Sequence, residues 1–158
     1  MDHGQQLLIE TIKKNSDMVY RLAFSQMKNK ADADDVYQEV FFRFLKKKPS
    51  FKDDNHEKAW FIRVTLNCSK TNLKSFWNTK TALLDENVED ISVEKEDLSF
   101  ALKKLSKKYN AVLYLFYFED MSVAEIADTL DLNEGNVRML LTRARRKLKE
   151  ILERERYI

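Results

Sequence analysis

Several residue types that equip proteins for chemistry are scarce in this chain of 158 residues. It has two glycines, one proline, one cysteine and two histidines. Two glycines cannot build a glycine-rich phosphate loop, and one cysteine cannot form an internal disulfide. The histidines have no partners at metal-ligand spacing, and no Ser-His-Asp or Cys-His grouping is evident. We therefore predict no metal, no other cofactor and no catalytic site, so the chain is not expected to be an enzyme.

Long apolar segments are also missing. No apolar run approaches the roughly 20 residues of a membrane-spanning helix. The first residues lack the basic and apolar segments of a signal peptide. A lone cysteine suits a reducing compartment. We therefore expect a cytoplasmic protein without membrane insertion.

The composition favours helices in two small domains. Hydrophobic residues make up 44% and charged residues 34% of the chain, with few helix breakers. Residues 85–97 contain seven acidic residues against one lysine, and apolar residues are sparse there. We predict an all-α protein with domains at residues 1–80 and 98–158, joined by an acidic flexible linker at 81–97.

The C-terminal domain has the pattern of a helix-turn-helix in residues 122–149. Ser122 and Glu125 have capping-box spacing at the start of one short helix, and Asn133 suits the N-cap of a second. Asp131 stands at the turn, where the backbone is commonly left-handed. The apolar stripe of the second helix is Val137, Leu140, Leu141, Ala144 and Leu148. The spacing predicts a DNA-binding motif.

The second helix of this motif is basic and has no acidic residue between positions 138 and 149. Such a face suits the phosphates that line a DNA major groove, although a charged helix is more often simply solvated. The net charge of +2 requires that DNA binding depend on this uneven distribution. The side opposite the apolar stripe carries Gly135, Met139, Thr142 and Arg146, flanked by Arg138 and Arg143.

The N-terminal domain is predicted to be helical throughout. Helices are expected over residues 7–15 and 16–27, with a third capped by Asn29 and ending before Pro49. The third helix should bury Val36, Tyr37, Val40, Phe41, Phe44 and Leu45. A fourth helix, beginning near residue 54 and closing at residues 75–78, should turn Trp60, Phe61, Val64 and Cys68 inward. Asp35, Gln38 and Glu39 lie away from the third helix's stripe, and composition alone favours a solvated face.

Aromatic residues alternate with basic and amide residues from Phe51 onward. Single-stranded DNA binding uses this combination, because rings stack on bases while cations follow the backbone. The polar residues are Arg63, Asn67, Lys70, Asn72 and Lys74. The alternative is that the rings form core, which is the interpretation for Trp60 and which leaves Phe51, Phe76 and Trp77 open.

Two stretches together resemble bacterial RNA polymerase sigma factors of the extracytoplasmic-function (ECF) group. Residues 31–44, ADADDVYQEVFFRF, and 59–67, AWFIRVTLN, resemble region 2, and residues 105–148 resemble region 4. The resemblance implies a sigma factor that binds core RNA polymerase and directs promoter-specific transcription initiation, including promoter melting. It implies as partners the β′ clamp helices and β flap of the polymerase, promoter DNA, and a cognate anti-sigma factor.

The resemblance also implies roles for individual residues. Asp35, Gln38 and Glu39 would dock on the β′ clamp helices. The loop of residues 51–55 would capture a base flipped from the −10 element, and Asn67 would help to read its nontemplate strand. The full single-strand set is Phe51, Lys52, Arg63, Asn67, Lys70 and Lys74. The set for the upstream −35 element is Arg138, Met139, Thr142 and Arg143 by resemblance, with Arg146 added from its helix face.

A stand-alone helix-turn-helix regulator is the alternative. It would bind a palindrome as a dimer and give the N-terminal half a ligand or dimerisation role. The sequence also departs from the sigma family, which often has Gly at position 131 and Ser-Arg at 139–140. The Asp35, Gln38 and Glu39 set and the aromatic-basic helix favour the sigma factor.

Overall fold

Residues 2–71 and 95–156 are described by a computed structural model, and every regular element among them is an α-helix. The chain divides into two compact units, residues 1–70 and 71–158. The predicted all-α, two-unit organisation is confirmed. None of the described helices is long and apolar enough to cross a bilayer. Most of the predicted linker, the predicted boundary at residue 80, and Asn72, Lys74, Phe76 and Trp77 lie outside the described residues.

The N-terminal unit consists of three helices, α1 (His3–Gln26), α2 (Lys30–Lys47) and α3 (Asp54–Cys68). The predicted cap of α2 is present, because the Asn29 side chain accepts a hydrogen bond from the Asp32 N–H at 2.8 Å. Helix α2 ends before Pro49, as expected, with Lys48 in the left-handed region at φ 47°. The sequence therefore sets both ends of α2.

The core of this unit is formed by one face from each helix. Its buried apolar side chains include Val19, Leu22, Ala23, Val36, Val40, Phe41, Phe44, Phe61, Ile62 and Leu66. Phe61 lies at the centre of an aromatic cluster, with its ring centroid 5.6 Å from Phe41 and 5.3 Å from Phe44. Helix α3 thus contacts α2 through aromatic rings.

The expected break between residues 15 and 16 was wrong, because α1 is one continuous helix. Asparagine interrupts helices when its side chain competes for the backbone, but the buried Asn15 amide has other partners. It donates hydrogen bonds to the Thr11 carbonyl at 2.9 Å and to the Glu57 carboxylate at 3.2 Å. With these bonds made, Asn15 is accommodated inside α1 and ties it to α3.

The predicted buried faces of α2 and α3 were also partly wrong. Leu45 is 45% exposed, since nine residues at about 100° each place it opposite Val36 on α2. Helix α3 ends at Cys68 and buries Ile62 and Leu66, whereas three of the four residues predicted to face inward are half-buried, namely Trp60, Val64 and Cys68. Because α1 and α2 both contact α3, its buried face is turned away from the one that apolarity alone suggested.

The C-terminal unit contains four described helices, α4 (Lys95–Leu102), α5 (Lys107–Tyr117), α6 (Val123–Leu130) and α7 (Glu134–Arg156). Helix α4 begins inside the segment predicted as linker, so residues 95–97 are helical instead. Buried Asn110 of α5 donates a hydrogen bond to the Leu102 carbonyl at 2.9 Å. Helix α7 contacts α4, α5 and α6, and this support fixes the direction of its exposed face.

Helices α6 and α7 form the predicted helix-turn-helix. The capping box at the start of α6 is complete, because the Ser122 N–H donates to the Glu125 carboxylate at 3.0 Å and the Glu125 N–H donates to the Ser122 hydroxyl at 3.1 Å. Asn133 caps α7 by accepting the Asn136 N–H at 2.7 Å. Sequence spacing was sufficient to predict both helix starts.

Asp131 takes the left-handed conformation expected at the turn, with φ 57° and ψ 48°. The N–H of Leu132 donates to the Ala127 carbonyl at 2.8 Å, and that of Asp131 donates to the Asp128 carbonyl at 3.4 Å. These two bonds form a Schellman motif, in which glycine is the usual left-handed residue. The turn therefore carries the strain of a side chain at this position.

Replacing this residue, Asp131→Gly, is expected to raise the free energy of unfolding of the C-terminal unit by about 0.5–1 kcal/mol, because the left-handed strain disappears. The matched control is Asp128→Gly in the last turn of α6, which should lower it by about 0.3 kcal/mol, because glycine is only slightly worse in a helix than aspartate. Urea unfolding of the full chain, followed by amide exchange in α6 and α7, measures both. A loss of stability in Asp131→Gly would show that the carboxylate contributes more than the strain costs.

Candidate nucleic-acid and protein interfaces

The exposed side of α7 carries most of the cations predicted to contact duplex DNA. Arg138 and Arg146 are exposed, and Thr142 and Arg143 are half-buried. No acidic residue lies between Arg138 and Lys149, and Glu150 pairs with Lys147 at 3.6 Å. Four of the five predicted upstream-element residues are thus at least partly accessible. A basic helix supported from behind by three others has the form that docks in a major groove.

Met139 does not share this exposure, so the expectation from the helical wheel that it points outward with the other four was wrong. Only 7% of its surface is accessible. The helical wheel gave its angle about the α7 axis, but not the neighbours of α7. Because three helices contact α7, more than the apolar stripe is covered. Met139 is therefore better described as part of the packed interior of the unit.

Arg145 belongs to the same basic run but contacts its own domain. Its Nε donates a hydrogen bond to the Tyr117 hydroxyl at 2.8 Å. Its guanidinium also lies over the rings of Phe116 and Tyr117, 5.1 and 5.6 Å from their centroids. Arg145 thus anchors α7 to α5. Sequence alone offered no signal that separates it from the neighbouring arginines.

The outward face of α2 presents the residues predicted to bind a protein partner. Asp35, Gln38 and Glu39 are all exposed. Arg43, one turn after Glu39 on the helix, donates a hydrogen bond from its Nε to the Glu39 carboxylate at 3.0 Å. This bond raises the pKa of Arg43, which therefore stays charged. The pair restricts the Glu39 side chain on an otherwise solvated surface.

Two apolar side chains are exposed on this face, Phe42, which had no predicted role, and Leu45, which was expected in the core. Phe42 is 61% exposed and lies one turn beyond the polar residues on the same face, four residues after Gln38 and three after Glu39. Leu45 follows on the next turn. The signal was present, since an aromatic residue outside the buried stripe of an amphipathic helix has no role in the core. Exposed aromatic residues amid charge are typical of protein interfaces.

The loop before α3 holds the residues predicted to capture a base. Lys52 is exposed, whereas Phe51 is half-buried. The Phe51 ring contacts three others, at centroid distances of 5.6 Å to His56, 5.9 Å to Trp60 and 6.2 Å to Phe61. Phe51, which the sequence left between core and site, thus packs on the edge of the aromatic cluster. The loop rests on the core rather than projecting from it.

Further polar candidates follow along α3. Asn67 is exposed and lies one turn after the half-buried Arg63, so both share a face. Lys70 is exposed just past the end of α3, in the left-handed region at φ 61°. Burial raises the pKa of the neighbouring Cys68 thiol, which therefore stays neutral at pH 7. One amide, Asn67, and two cations, Arg63 and Lys70, thus follow the loop along α3 and its end.

Comparisons with known proteins agree with this geometry. The Sigma-70 region 2 family matches residues 11–79, and the Sigma-70 region 4 family matches residues 95–148. The sigma factor SigV of Bacillus subtilis is 30% identical over 94% of this chain and 93% of its own length. The ECF sigma factor SigE of Mycolicibacterium smegmatis is 28% identical over 90% of this chain, which spans 60% of that longer protein.

A solved structure shows the same fold. The sigma factor RpoE of Bartonella quintana, in complex with the anti-sigma factor NepR, superposes with a TM-score of 0.66 at 19% identity, over 91% of this chain and 95% of that one. Together, the two family matches and the helix-turn-helix define a transcription initiation factor of the sigma-70 class. Within that class, the chain belongs to the ECF group of bacterial RNA polymerase sigma factors. It directs promoter-specific initiation by RNA polymerase.

Proposed function

We propose that three separate surfaces divide the work of initiation in this sigma factor. The outward face of α2 docks on the β′ clamp helices of core polymerase. The segment of residues 51–55, which runs from the loop into the first turn of α3, holds the melted −10 strand together with the exposed side of α3. The basic side of α7 binds the −35 element as duplex. The observation that supports this division most directly is the presence of matches to regions 2 and 4 in one chain, each with an exposed face of suitable chemistry.

The polymerase-docking face combines charge with apolar area. Asp35, Gln38 and Glu39 supply acceptors and one amide donor to a partner helix pair, and Phe42 supplies a ring that gains by leaving water. Arg43 keeps Glu39 in a limited set of rotamers, which lowers the entropy lost on docking. Phe42 and Arg43 thus add to the docking role that the family resemblance implies for the three polar residues.

The proposed −10 surface combines the Phe51 ring with cations and an amide. Extruding a base from the duplex costs a few kcal/mol of stacking. The Phe51 region, with Lys52, Arg63, Asn67 and Lys70, offsets this cost by contacts to the single strand. The polymerase makes the phosphodiester bonds, so this chain needs no catalytic group of its own.

The test of the whole proposal is a transcription reaction containing purified core polymerase, this protein and a promoter library. New transcripts that require both proteins, and that start at a shared pair of upstream and downstream elements, are expected. A stand-alone regulator would instead bind a palindrome as a dimer without polymerase. Association with the polymerase in the absence of any new start site would contradict the initiation role.

Duplex binding by α7 gives a prediction that separates two arginines. Arg143→Ala should reduce the slope of log affinity against log salt by about one, because one phosphate contact is lost. Arg145→Ala should change that slope less, and should lower the free energy of unfolding by about 1–2 kcal/mol through loss of its hydrogen bond and ring contacts. Salt titrations on the selected −35 duplex and urea unfolding measure the two quantities. Equal slopes in Arg143→Ala and the parent protein would remove Arg143 from the interface.

Control by an anti-sigma factor is a further part of the proposal. It rests on the family and on the Bartonella quintana relative, which was solved in complex with its anti-sigma factor. A partner of this class should compete with core polymerase for the chain. The competition experiment is a titration of preformed holoenzyme, and release of the sigma factor is the expected result.

A further inference from the structure

We propose that His56 is a positioning residue that holds the loop of residues 51–53 in the shape needed to receive the flipped −10 base. This inference rests on the proposed function of that loop. In the sequence, His56 has no partners at metal-ligand spacing. The structure connects His56 to every residue of the loop.

The first connection is a pair of hydrogen bonds across the start of α3. The His56 N–H donates to the Asp53 carboxylate at 2.8 Å, and the Lys52 N–H donates to the His56 Nδ1 at 3.1 Å. In a capping box, a glutamate or glutamine three residues after the cap reaches back to a backbone N–H. Here an imidazole at that position reaches the residue before the cap. Nδ1 accepts this bond only in the neutral ring, with the proton on Nε2.

The second connection is between rings. The imidazole meets the Phe51 ring edge to face, with centroids 5.6 Å apart and planes at 84°. Phe51 in turn contacts Trp60 and Phe61. The His56 side chain therefore contacts the Phe51 ring and the Lys52 backbone, whereas the Asp53 carboxylate accepts from the His56 backbone N–H. The Lys52 residue itself stays exposed.

The base of the loop is itself anchored to α1. The Lys14 ammonium lies 2.6 Å from the Asp54 carboxylate and 3.3 Å from that of Glu57, and the Asn15 amide donates to Glu57 at 3.2 Å. The hydrogen bond with Asp54 raises the pKa of Lys14. His56 therefore lies in a helix turn that is bonded to α1, and its side chain links this turn to the loop.

The consequence for initiation is preorganisation. A loop that must become ordered when it meets the base loses entropy at that moment, which weakens capture. A loop already held by His56 has lost that entropy during folding. His56 thus acts through Phe51 and Lys52 rather than by touching DNA, and its effect belongs to melting rather than to polymerase docking.

The test compares three full-length variants. His56→Leu removes the acceptor, and His56→Asn keeps an oxygen near the place of Nδ1. His3→Leu is the matched control, because His3 is the other histidine of the chain and lies at the exposed start of α1. Hydrogen exchange of the Lys52 amide reports the loop without DNA. Permanganate reactivity of −10 thymines, with core polymerase on the selected promoter, reports melting.

In His56→Leu, we expect the Lys52 amide to exchange about fivefold to tenfold faster, the size of one lost structural hydrogen bond. The amount of open complex should fall by a similar factor. His56→Asn should restore both, and His3→Leu should change neither. Unchanged exchange or unchanged melting in His56→Leu would overturn the positioning role. A further variant, Lys52→Ala, separates the causes. If it impairs melting while His56→Leu does not, only the role of His56 fails, and if neither does, the proposed function of the loop fails with it.

Discussion

Phe61→Ala is expected to remove about 3–5 kcal/mol from the free energy of unfolding of the N-terminal unit. Phe61 is fully buried, and its ring lies within 6.2 Å of Phe41, Phe44, Phe51 and Trp60, centroid to centroid. Truncation leaves a cavity where α2 and α3 meet, and close-packed neighbours cannot collapse into it fully. Since domains are stable by only about 5–15 kcal/mol, this loss is a large share of the total.

The measurement is urea unfolding of the full chain with amide exchange of α2 and α3 as the reporter. Phe42→Ala is the matched control, because the same ring is removed from the same unit but from a position 61% exposed. Its effect on unfolding should stay within about 0.5 kcal/mol. If the two variants lost similar stability, the aromatic cluster would not be the centre of this core.

Most of the fold could be predicted from the sequence because its signals are local. Capping spacing fixed the starts of α2, α6 and α7, and the apolar period of α7 identified five buried residues correctly. The left-handed turn at Asp131 followed from its place between two helices. The continuity of α1 was not predicted, and the buried Asn15 amide within it bonds Glu57, 42 residues away, a contact that the local sequence does not show.

The residues of the candidate sites show the same difference between what local sequence determines and what contacts between helices determine. Exposure of Asp35, Gln38 and Glu39 follows from helix periodicity and was predicted, whereas their role needed the family resemblance. Met139 and Arg145 were misjudged or missed because neighbouring helices decide their surroundings, and a helical wheel shows only one helix. Side chains whose roles depend on contacts between elements need the structure.

Loss of polymerase binding is the expected result for the triple variant Gln38→Ala, Glu39→Ala and Phe42→Ala. The variant removes the central amide, carboxylate and ring of the α2 face. Interface anchors of this kind contribute about 2 kcal/mol or more each, and such losses are not fully additive. We therefore expect the affinity for core polymerase to fall on the order of 100-fold or more. Stability should change little, because all three side chains are exposed.

The control places the same chemistry elsewhere on the unit. Gln6, Leu7 and Glu10 of α1 offer an exposed amide, an exposed apolar side chain and an exposed carboxylate, and Leu7 is 57% exposed. Their triple alanine variant should bind core polymerase like the parent protein. Fluorescence anisotropy of labelled chain, titrated with core enzyme, measures both affinities. Parallel losses in the two variants would indicate that α2 has no special part in docking. A loss confined to the α2 variant, with duplex binding by α7 unchanged, would show that the two units perform their tasks separately.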